Sequence, residues 1–355
     1  MPEGLKIAIV GATGAVGQEL RSILEQRKFP IRDLIPFASS RSEGQEVKLG
    51  GRGFKCQVLK KGCFEGVQIA FFDASDAISL EWVMEAANSG AWVVDNSAAY
   101  RMASDIPLVV PEVNGHLLES LMAKGAALQP RERVIAGPNC STVQLVVPLQ
   151  ALHRKWGLKR VVVSSYQSTS GAGAAAMEEL KSQTQGALTG GVVPAQAFTH
   201  QIAFNCIPHI GGFKEDGFTS EEHKIMLESR KILDLPQLRI VATAVRVPTL
   251  SCHGESVNVE LDRACTPEEA RSAIRAQPGA VVQDDPSRNI YPMGLTAADD
   301  LVESGKGRDP VYVGRIRRDP SVENGLSFWV VSDNLRKGAA LNAVQIGEVL
   351  ARSLR

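Results

Sequence analysis

The 355-residue sequence has no excess of charge of either sign, because 39 Lys and Arg residues balance 39 Asp and Glu residues. A basic field that attracts nucleic acid or an anionic membrane is therefore not expected, and any anion site must be local. The sequence also lacks an apolar run of the roughly 20 residues needed to span a bilayer, and it lacks the basic start and cleavage site of a signal peptide. These absences predict a cytoplasmic protein that binds neither nucleic acid nor membranes.

The cysteines show no pairing pattern. They are scattered along the chain, and no two form a CxxC pair. A disulfide framework and a structural zinc site are both disfavoured, so we expect a reducing compartment and no bound metal. For most cysteines the simplest expectation is a small buried apolar side chain. We apply that expectation to Cys56, Cys63, Cys206, Cys252 and Cys265.

Strands and helices alternate in the first 139 residues, as the apolar runs show. This alternation predicts an α/β domain with a parallel, doubly wound sheet. The predicted strands cover 5–10, 34–38, 68–74, 91–96, 108–114 and 133–139, and the predicted helices cover about 15–26 and 76–89.

The pattern changes at residue 140. Helices are predicted at 141–156, after the glycine turn at 170–173, and at 219–233, and long alternating strands follow. These runs predict an α+β domain with a mostly antiparallel or mixed sheet over 140–339. The stretch 186–217 is rich in Gly, Pro and Phe and predicts a long irregular excursion. A last helix is predicted at about 339–353.

Gly11, Gly14 and Gly17 form a GxxGxxG pattern between the first strand and the first helix. Glycine permits a tight turn and close approach of a pyrophosphate, and the helix N-terminus offers free N–H groups and a positive dipole end. In this position the pattern indicates a Rossmann-type dinucleotide site. A plain tight turn is the alternative.

The end of the second strand lacks the acid that would bond the ribose of NAD. It reads Ser39, Ser40, Arg41, Ser42 instead. Hydroxyls and a guanidinium suit a 2′-phosphate, so the sequence favours NADP over NAD. The alternative is that Arg41 is an ordinary solvated loop residue.

Cys140 follows a strand and a Gly-Pro-Asn turn, at the start of a predicted helix. Backbone N–H groups at a helix start lower a thiol pKa and can bind a developing oxyanion. A thiolate is a suitable nucleophile for an acyl carbon, and a thioester accepts hydride far better than a carboxylate does. The alternative is again a small buried side chain.

A general base beside the thiol would have to be one of six histidines. His153 lies in an amphipathic helix and is expected at the surface. His253 lies in a predicted Gly-Ser turn between two long strands, where a rigid scaffold positions side chains. The sequence alone does not place His253 near Cys140.

Five segments together resemble the aspartate-β-semialdehyde dehydrogenase family over essentially the whole chain: GATGAVG, PNCST, SYQSTSGAG, RVPTLSCHGES and SDNLRKGAA. The resemblance implies that aspartyl phosphate and NADPH give aspartate semialdehyde, NADP and inorganic phosphate. That step feeds lysine, methionine, threonine and diaminopimelate synthesis. It also implies a homodimer, or a tetramer, formed through a catalytic and dimerisation domain at 140–339, with helix 340–355 returning to the nucleotide domain at 1–139.

The resemblance further implies residue roles. Cys140 resembles the nucleophile, His253 the general acid/base, and Gln167 the residue that orients the acyl intermediate. Arg246 resembles the clamp for the substrate α-carboxylate, and a bidentate Arg suits that task. The remaining substrate residues it implies are Glu221 for the ammonium, Lys224 and Arg101 for phosphate, and Asn139 for phosphate or the oxyanion.

Without the resemblance, Glu221 and Lys224 read as a solvated helix face with an ordinary ion pair. The glycine turn at 170–173 likewise has a helix cap as its alternative. The cofactor-contacting positions implied are Thr13, Gly14, Ala15, Val16, Arg41, Ser42, Ser170, Gly171 and Asn334.

Two rival functions follow from the same residues. One is a sibling reductase of another acyl phosphate, of the N-acetyl-glutamyl-phosphate reductase type. The other is a non-catalytic dinucleotide-binding regulator. The second rival would retain GATGAVG and lose the set of Cys140, Gln167, Arg246 and His253, all of which are present.

Overall fold

The computed structural model describes residues 4–294 and 308–354. The chain divides into two compact units. The first contains the residues up to Asn139 together with those from Ala339 onward, and the second is Cys140–Gly338.

The strands and helices are numbered along the chain. The strands are β1 (Leu5–Val10), β2 (Ile31–Phe37), β3 (Glu46–Leu49), β4 (Arg52–Lys55), β5 (Ile69–Phe72), β6 (Trp92–Asp95), β7 (Val134–Ala136), β8 (Leu158–Gln167), β9 (Arg239–Arg246), β10 (His253–Leu261), β11 (Ala280–Val282), β12 (Val311–Asp319) and β13 (Gly325–Ser332). The α-helices are α1 (Ala15–Gln26), α2 (Asp76–Asn88), α3 (Pro111–Asn114), α4 (His116–Met122), α5 (Cys140–Trp156), α6 (Ala174–Thr189), α7 (Ser220–Ile232), α8 (Pro267–Arg275) and α9 (Leu341–Ser353).

The first unit is built on a parallel sheet of five strands, in the order β2-β1-β5-β6-β7. Every residue of β5, β6 and β7 is buried, as expected for strands covered on both faces. The core joins these strands to α1 and to α9 at the other end of the chain, and it includes Ile9, Leu20, Phe71 and Val344. The doubly wound α/β prediction is confirmed, and the bounds of β1 and α1 coincide with the predicted ones.

The predicted strand at 108–114 is wrong. Leu108 makes only an isolated bridge to Ala136, and Pro111–Asn114 is a short helix. Proline at a first helical position has its φ preset and needs no hydrogen-bond donor. The Asn114 side chain accepts from Val110 N–H and donates to the Leu108 carbonyl, both at 2.9 Å. These side-chain bonds replace the ladder bonds that a strand would have made.

The sequence prediction omitted the hairpin of β3 and β4. The two strands pair antiparallel around Gly50 and Gly51, which have φ values of +57° and +74°. Two successive residues with positive φ are the requirement of a tight hairpin turn, and paired glycines are its usual signal.

The second unit contains a mixed six-stranded sheet, in the order β11-β12-β13-β10-β8-β9. Parallel pairing joins β8 to β9 and β11 to β12, while the other neighbours are antiparallel. Buried residues alternate with less buried ones along β9 and β10, so one face is covered and the other is open. Helix α5 packs on the covered face against β8, β10, β12 and β13. The mixed sheet is as predicted.

The excursion after α6 is also as predicted, except that α6 itself extends to Thr189. Gly190 ends the helix in the left-handed region, with φ +79°. From there to residue 219 the chain forms only isolated bridges, at Ile207 and Phe213. A small apolar cluster of Leu180, Ile202, Ala203 and Ile207 packs this segment against α6.

Helix α8 was missed, although Thr266 and Glu269 form a capping box at its start. A Thr followed three residues later by Glu is a recognised sequence signal for a helix start. In residues 4–294 and 308–354, no helix is long and apolar enough to cross a membrane. The same ranges hold no group of three or more His, Cys, Asp or Glu side chains arranged to bind a metal.

Candidate active site

Three of the residues singled out from the sequence form one row across three neighbouring strands of the second unit. Gln167 ends β8 and pairs with Arg246, which ends the parallel strand β9. On its other side Gln167 pairs with His253, which begins the antiparallel strand β10. Paired residues in a sheet point to the same face. The exposed fractions are 1%, 6% and 0% for Gln167, Arg246 and His253, so the row lies on the covered face.

His253 was expected in a turn, and the structure places it at the first position of a strand instead. The turn ends one residue earlier, at Cys252, whose φ is +66°. The Cys252 N–H donates to Asn334 Oδ1 at 3.0 Å, so the strained turn is tied to a buried side chain. The position of His253 is therefore fixed by the sheet as well as by the turn.

Glu221 connects the row to helix α7. Its Oε1 accepts from Gln167 Nε2 at 3.2 Å, and its Oε2 lies 3.3 Å from Lys224 Nζ. Glu221 is 7% exposed, whereas the Lys224 side chain is 35% exposed. The solvated-face alternative therefore fails for Glu221, because its carboxylate is buried beside Gln167.

Arg246 presents a buried guanidinium. Its Nη1 donates to the Ser168 carbonyl at 2.7 Å, and its Cζ lies 5.8 Å from the centre of the Phe198 ring. Burial lowers the pKa of Arg246, and the Cys140 thiol and the Glu221 carboxylate oppose that shift. A guanidinium out of water, with planar donors, is suited to bind a carboxylate.

The protonation of His253 follows from its neighbours. The Ser168 N–H donates to His253 Nδ1 at 3.1 Å. A backbone N–H can only donate, so Nδ1 must accept, and the neutral ring carries its proton on Nε2. Burial lowers the pKa of His253 to about 3, and the positive charge of Arg246 contributes in the same direction. The Cys252 backbone and the Glu221 carboxylate oppose this shift but do not outweigh it. The ring is therefore neutral, with an N–H at Nε2.

The Nε2 side of the ring faces a glycine. Nε2 has no hydrogen-bond partner in the described part of the chain. A Cβ added at Gly171 would lie 3.2 Å from Nε2 and 3.1 Å from Arg246 Nη1. Gly171 belongs to a 3-10 turn over Thr169–Ala172, and a side chain there would crowd both the imidazole and the guanidinium.

Cys140 is the first residue of α5 and is half-buried. Its thiol lies within electrostatic reach of Arg246. A Cβ on Gly338 would lie 2.9 Å from the Cys140 Cβ, so the π-helix at Arg336–Ala340 approaches Cys140 closely. The sequence reasoning missed Gly338, although it lies in the SDNLRKGAA segment.

The other cysteines divide into two groups. Cys56, Cys252 and Cys265 are buried, as expected for small apolar side chains. The same expectation is wrong for Cys206, which is exposed, and for Cys63, which is half-buried.

Ser170 and Asn334, two of the expected cofactor positions, are bonded to each other. Asn334 Nδ2 donates to Ser170 Oγ at 2.9 Å, and Asn334 Oδ1 accepts from Ser168 Oγ at 3.2 Å. Both residues are buried. This network fixes the turn that carries the Ser168 N–H, and through it the ring of His253.

The glycine turn of the first unit has the close approaches that a dinucleotide site requires. Gly11 has φ +90°, and a Cβ there would lie 2.0 Å from the Asp73 carbonyl oxygen. A Cβ on Gly17 would lie 2.3 Å from the Gly11 carbonyl oxygen. Gly14 caps α1 without a side-chain bond, so the N–H groups of Ala15 and Val16 are available to an anion, whereas the Gly17 N–H is bonded to Asp73. Thr13 and Val16 flank these positions.

The segment after β2 forms a 3-10 turn at Ser40–Ser42. Arg41 is exposed there, and Ser42 is half-buried. A guanidinium and a hydroxyl therefore follow the carboxyl end of a parallel strand, where α/β sheets bind nucleotides.

Asp73 was missed and lies next to the glycine turn, directly after β5. Burial raises the pKa of Asp73 to about 7, and the Asn96 side chain and the Gly17 N–H oppose the shift. The neighbouring Asp95 raises it further. The available signal was an acid at the carboxyl end of a parallel strand.

Arg101 and Asn139 belong to the first unit, unlike the other expected substrate residues. Arg101 is 8% exposed. Its Nε donates to the Gly137 carbonyl at 2.8 Å, and its Nη2 donates to the Asn96 carbonyl at 2.6 Å. Asn139 is also buried.

Comparison with known proteins identifies both parts of the chain. Residues 6–121 match the family model described as semialdehyde dehydrogenase, NAD binding domain, and residues 149–337 match semialdehyde dehydrogenase, dimerisation domain. The first match assigns a nicotinamide dinucleotide as the class of cofactor.

Relatives match over nearly the whole length. Aspartate-semialdehyde dehydrogenase of Aquifex aeolicus is 48% identical over 98% of each chain, and that of Bacillus subtilis is 43% identical over 99% of each. Aspartate semialdehyde dehydrogenase II of Vibrio cholerae, solved in complex with ASA, aligns with a TM-score of 0.90 at 38% identity, over 98% of each chain. The chain is an oxidoreductase and belongs to the aspartate-semialdehyde dehydrogenase family.

Proposed function

We propose that the chain reduces L-aspartyl 4-phosphate to L-aspartate 4-semialdehyde with NADPH and releases inorganic phosphate. The product is the aldehyde from which lysine, methionine, threonine and diaminopimelate are made. The observation that carries the proposal is the buried row of Arg246, Gln167 and His253 on the face covered by α5, whose first residue is Cys140.

The charges of the second unit match those of the substrate. Arg246 binds the α-carboxylate, because its guanidinium is buried and its planar donors suit a carboxylate. Glu221 binds the ammonium group, and Lys224 binds phosphate. Arg101 and Asn139 are further proposed ligands of the phosphate. Opposite charges at fixed positions orient the acyl carbon for attack.

Cys140 forms the covalent bond. Its thiolate attacks the acyl carbon, a C–S bond forms, and the C–O bond to phosphate breaks. Gln167 orients the acyl group by an amide N–H, which it exchanges from its present bond to Ser165 or Glu221. When bound, the nicotinamide dinucleotide supplies the hydride that reduces the thioester.

His253 acts on the oxygen of the reduced intermediate. Its Nε2–H donates a hydrogen bond to the oxyanion formed on reduction and stabilises that charge without giving up the proton. When the oxyanion re-forms the C=O bond, the C–S bond breaks, and this step releases the aldehyde and regenerates the Cys140 thiolate. A neutral imidazole with a donor at Nε2 is the form that this cycle needs at its start.

The glycine turn of the first unit fits the cofactor, because Cβ atoms at Gly11 and Gly17 would collide with backbone. We propose NADP rather than NAD, since Arg41 and Ser42 follow β2 where NAD enzymes carry an acid. Thr13, Gly14, Ala15 and Val16 contact the pyrophosphate, and Ser170, Gly171 and Asn334 contact the nicotinamide end. Cofactor preference is measured by comparing NADP with NAD, in the wild type and in Arg41→Ala. Equal efficiency of the two cofactors in the wild type would contradict this assignment.

We propose a homodimer formed through the second unit, with a tetramer as the larger alternative. The open face of its sheet carries Tyr166 and Val241, which are 39% and 36% exposed, and the Tyr166 and Trp329 rings lie 5.4 Å apart. An apolar open face in a region that matches a dimerisation domain is suited to bind a second copy. Light scattering after gel filtration gives the mass, and a monomer at micromolar concentration would contradict the proposal.

The reaction is tested in the reverse direction, as NADP reduction with aspartate semialdehyde in the presence and absence of phosphate. We expect turnover that depends on phosphate, and none with N-acetyl-glutamate semialdehyde. Turnover of Cys140→Ala should be lost while the variant still binds NADP. The absence of phosphate-dependent turnover in the wild type would overturn the proposed reaction, and a turning-over Cys140→Ala would overturn the nucleophile.

A further inference from the structure

Each of the three proposed catalytic residues has a second buried polar residue near it on its own structural element. These partners form what we call the second polar layer, and they lie one helical turn or two strand positions from the catalytic residues. Such spacings keep side chains on the same face of a helix or a strand. The exposed fractions of the three partners are 1%, 0% and 0%. The pairs are Cys140 with Gln144 on α5, Gln167 with Ser165 on β8, and His253 with Glu255 on β10.

The layer has its own pairing in the sheet. Glu255 lies directly opposite Ser165, two register positions from the pair of His253 and Gln167 and on the same face of the sheet. The Ser165 hydroxyl accepts from Gln167 Nε2 at 3.3 Å, which connects the layer to the catalytic row. Helix α5 covers this face, and Gln144 is close enough to Glu255 to favour its charged form.

The surroundings of Glu255 disfavour an ionised carboxylate. In the described part of the chain it forms no ion pair, and neither carboxyl oxygen has a hydrogen-bond partner of ordinary geometry. A buried carboxylate without a cation takes up a proton rather than remain ionised. Burial raises the pKa of Glu255 well above its ordinary value, and Gln144 only partly opposes that shift.

A protonated carboxyl and a primary amide are complementary. The acid O–H can donate to the amide oxygen, and the amide N–H can donate to the acid carbonyl. The Gln144 Nε2 is buried and, in the described part of the chain, unbonded, so it is available for this exchange.

We propose that Glu255 is a neutral acid that pairs with Gln144 and thereby fixes α5, with Cys140, against β10, with His253. Glu255 is a positioning residue in this scheme and touches neither substrate nor cofactor. The inference rests on the proposed function for the roles of Cys140 and His253. It goes beyond that function, because it assigns the relative placement of Cys140 and His253 to the second polar layer.

The experiment compares Glu255→Gln, which keeps a neutral partner of the same shape, with Glu255→Leu, which removes it. We expect Glu255→Leu to lower kcat by about 100-fold, the cost of a displacement on the scale of an ångström at a reacting centre, with little change in KM. Glu255→Gln should keep most of the turnover. The exchange variant Gln144→Glu/Glu255→Gln reverses the positions of the acid and the amide, and it should also keep most of the turnover.

A second readout does not depend on the substrate. The rate at which iodoacetamide alkylates Cys140 should change in Glu255→Leu and stay near wild type in Glu255→Gln. This measurement holds even if the wild type fails the aspartate semialdehyde assay, so the two proposals fail separately. Glu260→Gln is the matched control. Glu260 lies on the same strand but pairs with Lys159 at the surface. Its replacement should change neither kcat nor the alkylation rate of Cys140.

Two results would overturn the inference. One is a Glu255→Gln variant whose turnover is as low as that of Glu255→Leu, because an ionisable Glu255 and not a neutral one would then be required. The other is a folded Glu255→Leu variant with wild-type turnover and alkylation rate. If Glu255→Leu does not fold, as judged by circular dichroism, Glu255→Gln and the exchange variant decide the question.

Discussion

The backbone N–H of Ser168 donates to Nδ1 of His253 at 3.1 Å, and this contact determines which ring nitrogen faces the site. Because Nδ1 accepts, the proton of the neutral ring lies on Nε2. The residue that supplies the N–H follows the last residue of β8, so the same strand carries Gln167 and sets the tautomer of His253.

We expect His253→Asn and His253→Gln to separate the two nitrogens. The Asn side chain can accept from Ser168 near the position of Nδ1 and puts nothing at Nε2, whereas the longer Gln places an amide N–H near Nε2. His253→Asn should lose turnover by roughly 10² or more, as for removal of a donor to an oxyanion, with an unfolding midpoint near that of the wild type. His253→Gln should retain more activity than His253→Asn. Equal loss in both variants would count against a donor at Nε2.

His253 should also make stability depend on pH. Its pKa is about 3 in the folded chain because of burial and the charge of Arg246, against about 6.5 in the unfolded chain. Between these values only the unfolded chain binds the proton, so stability is highest above about pH 6.5 and falls as the pH drops towards 3. The loss from this group reaches about 2 kcal/mol by pH 5. Urea unfolding at pH 7 and pH 5 should therefore show a smaller decrease for His253→Asn than for the wild type. An identical decrease would contradict the shift.

Gly338→Ala should impair turnover more than folding. The added Cβ would lie 2.9 Å from the Cys140 Cβ, so the π-helix or the start of α5 must move. A shift of a few tenths of an ångström at a nucleophile is expected to lower kcat by about tenfold or more. Gly212→Ala is the control, because nothing lies within 4 Å of a Cβ there. Equal activity of the two variants would show that Cys140 tolerates the approach.

Asp73→Asn should stabilise the protein at alkaline pH. The pKa of Asp73 is about 7, mainly because of burial, so the folded chain binds a proton more tightly than the unfolded chain does. The stability from this group is therefore complete below about pH 4 and is lost as the pH rises through 7. The Asn variant has no carboxyl group to ionise, so its stability does not fall as the pH rises through 7. Its melting temperature should therefore exceed that of the wild type at pH 8 and approach it near pH 4. A difference independent of pH would contradict the assignment.

The predictions from sequence succeeded where local patterning determines the structure. Fully buried parallel strands read as continuous apolar runs, and α1 begins immediately after a glycine turn, so β1 and α1 were located to the residue. The strand predicted at 108–114 failed because Pro111 and the Asn114 side chain favour a helical turn over ladder bonds. An apolar pattern carries no information about side-chain bonds to the backbone.

The catalytic row could not be predicted from spacing. Gln167, Arg246 and His253 become neighbours only because β10 and β9 pair on either side of β8, and such long-range pairing leaves no local signal. Family resemblance supplied these residues without their arrangement. Gly338 was missed because its importance lies in a contact with Cys140, almost two hundred positions earlier in the sequence.

The last helix has a consequence for how the chain acquires its structure. Leu341, Val344, Ile346 and Leu350 belong to the same core as Ile7, Ile9 and Leu20. During synthesis the first 139 residues therefore leave the ribosome before helix α9, which completes their core, has been made. The entire second unit is also synthesised before that helix. The dinucleotide-binding unit reaches its final structure only after residues 341–350 have been synthesised, and until then its unfinished apolar surface is a target for chaperones.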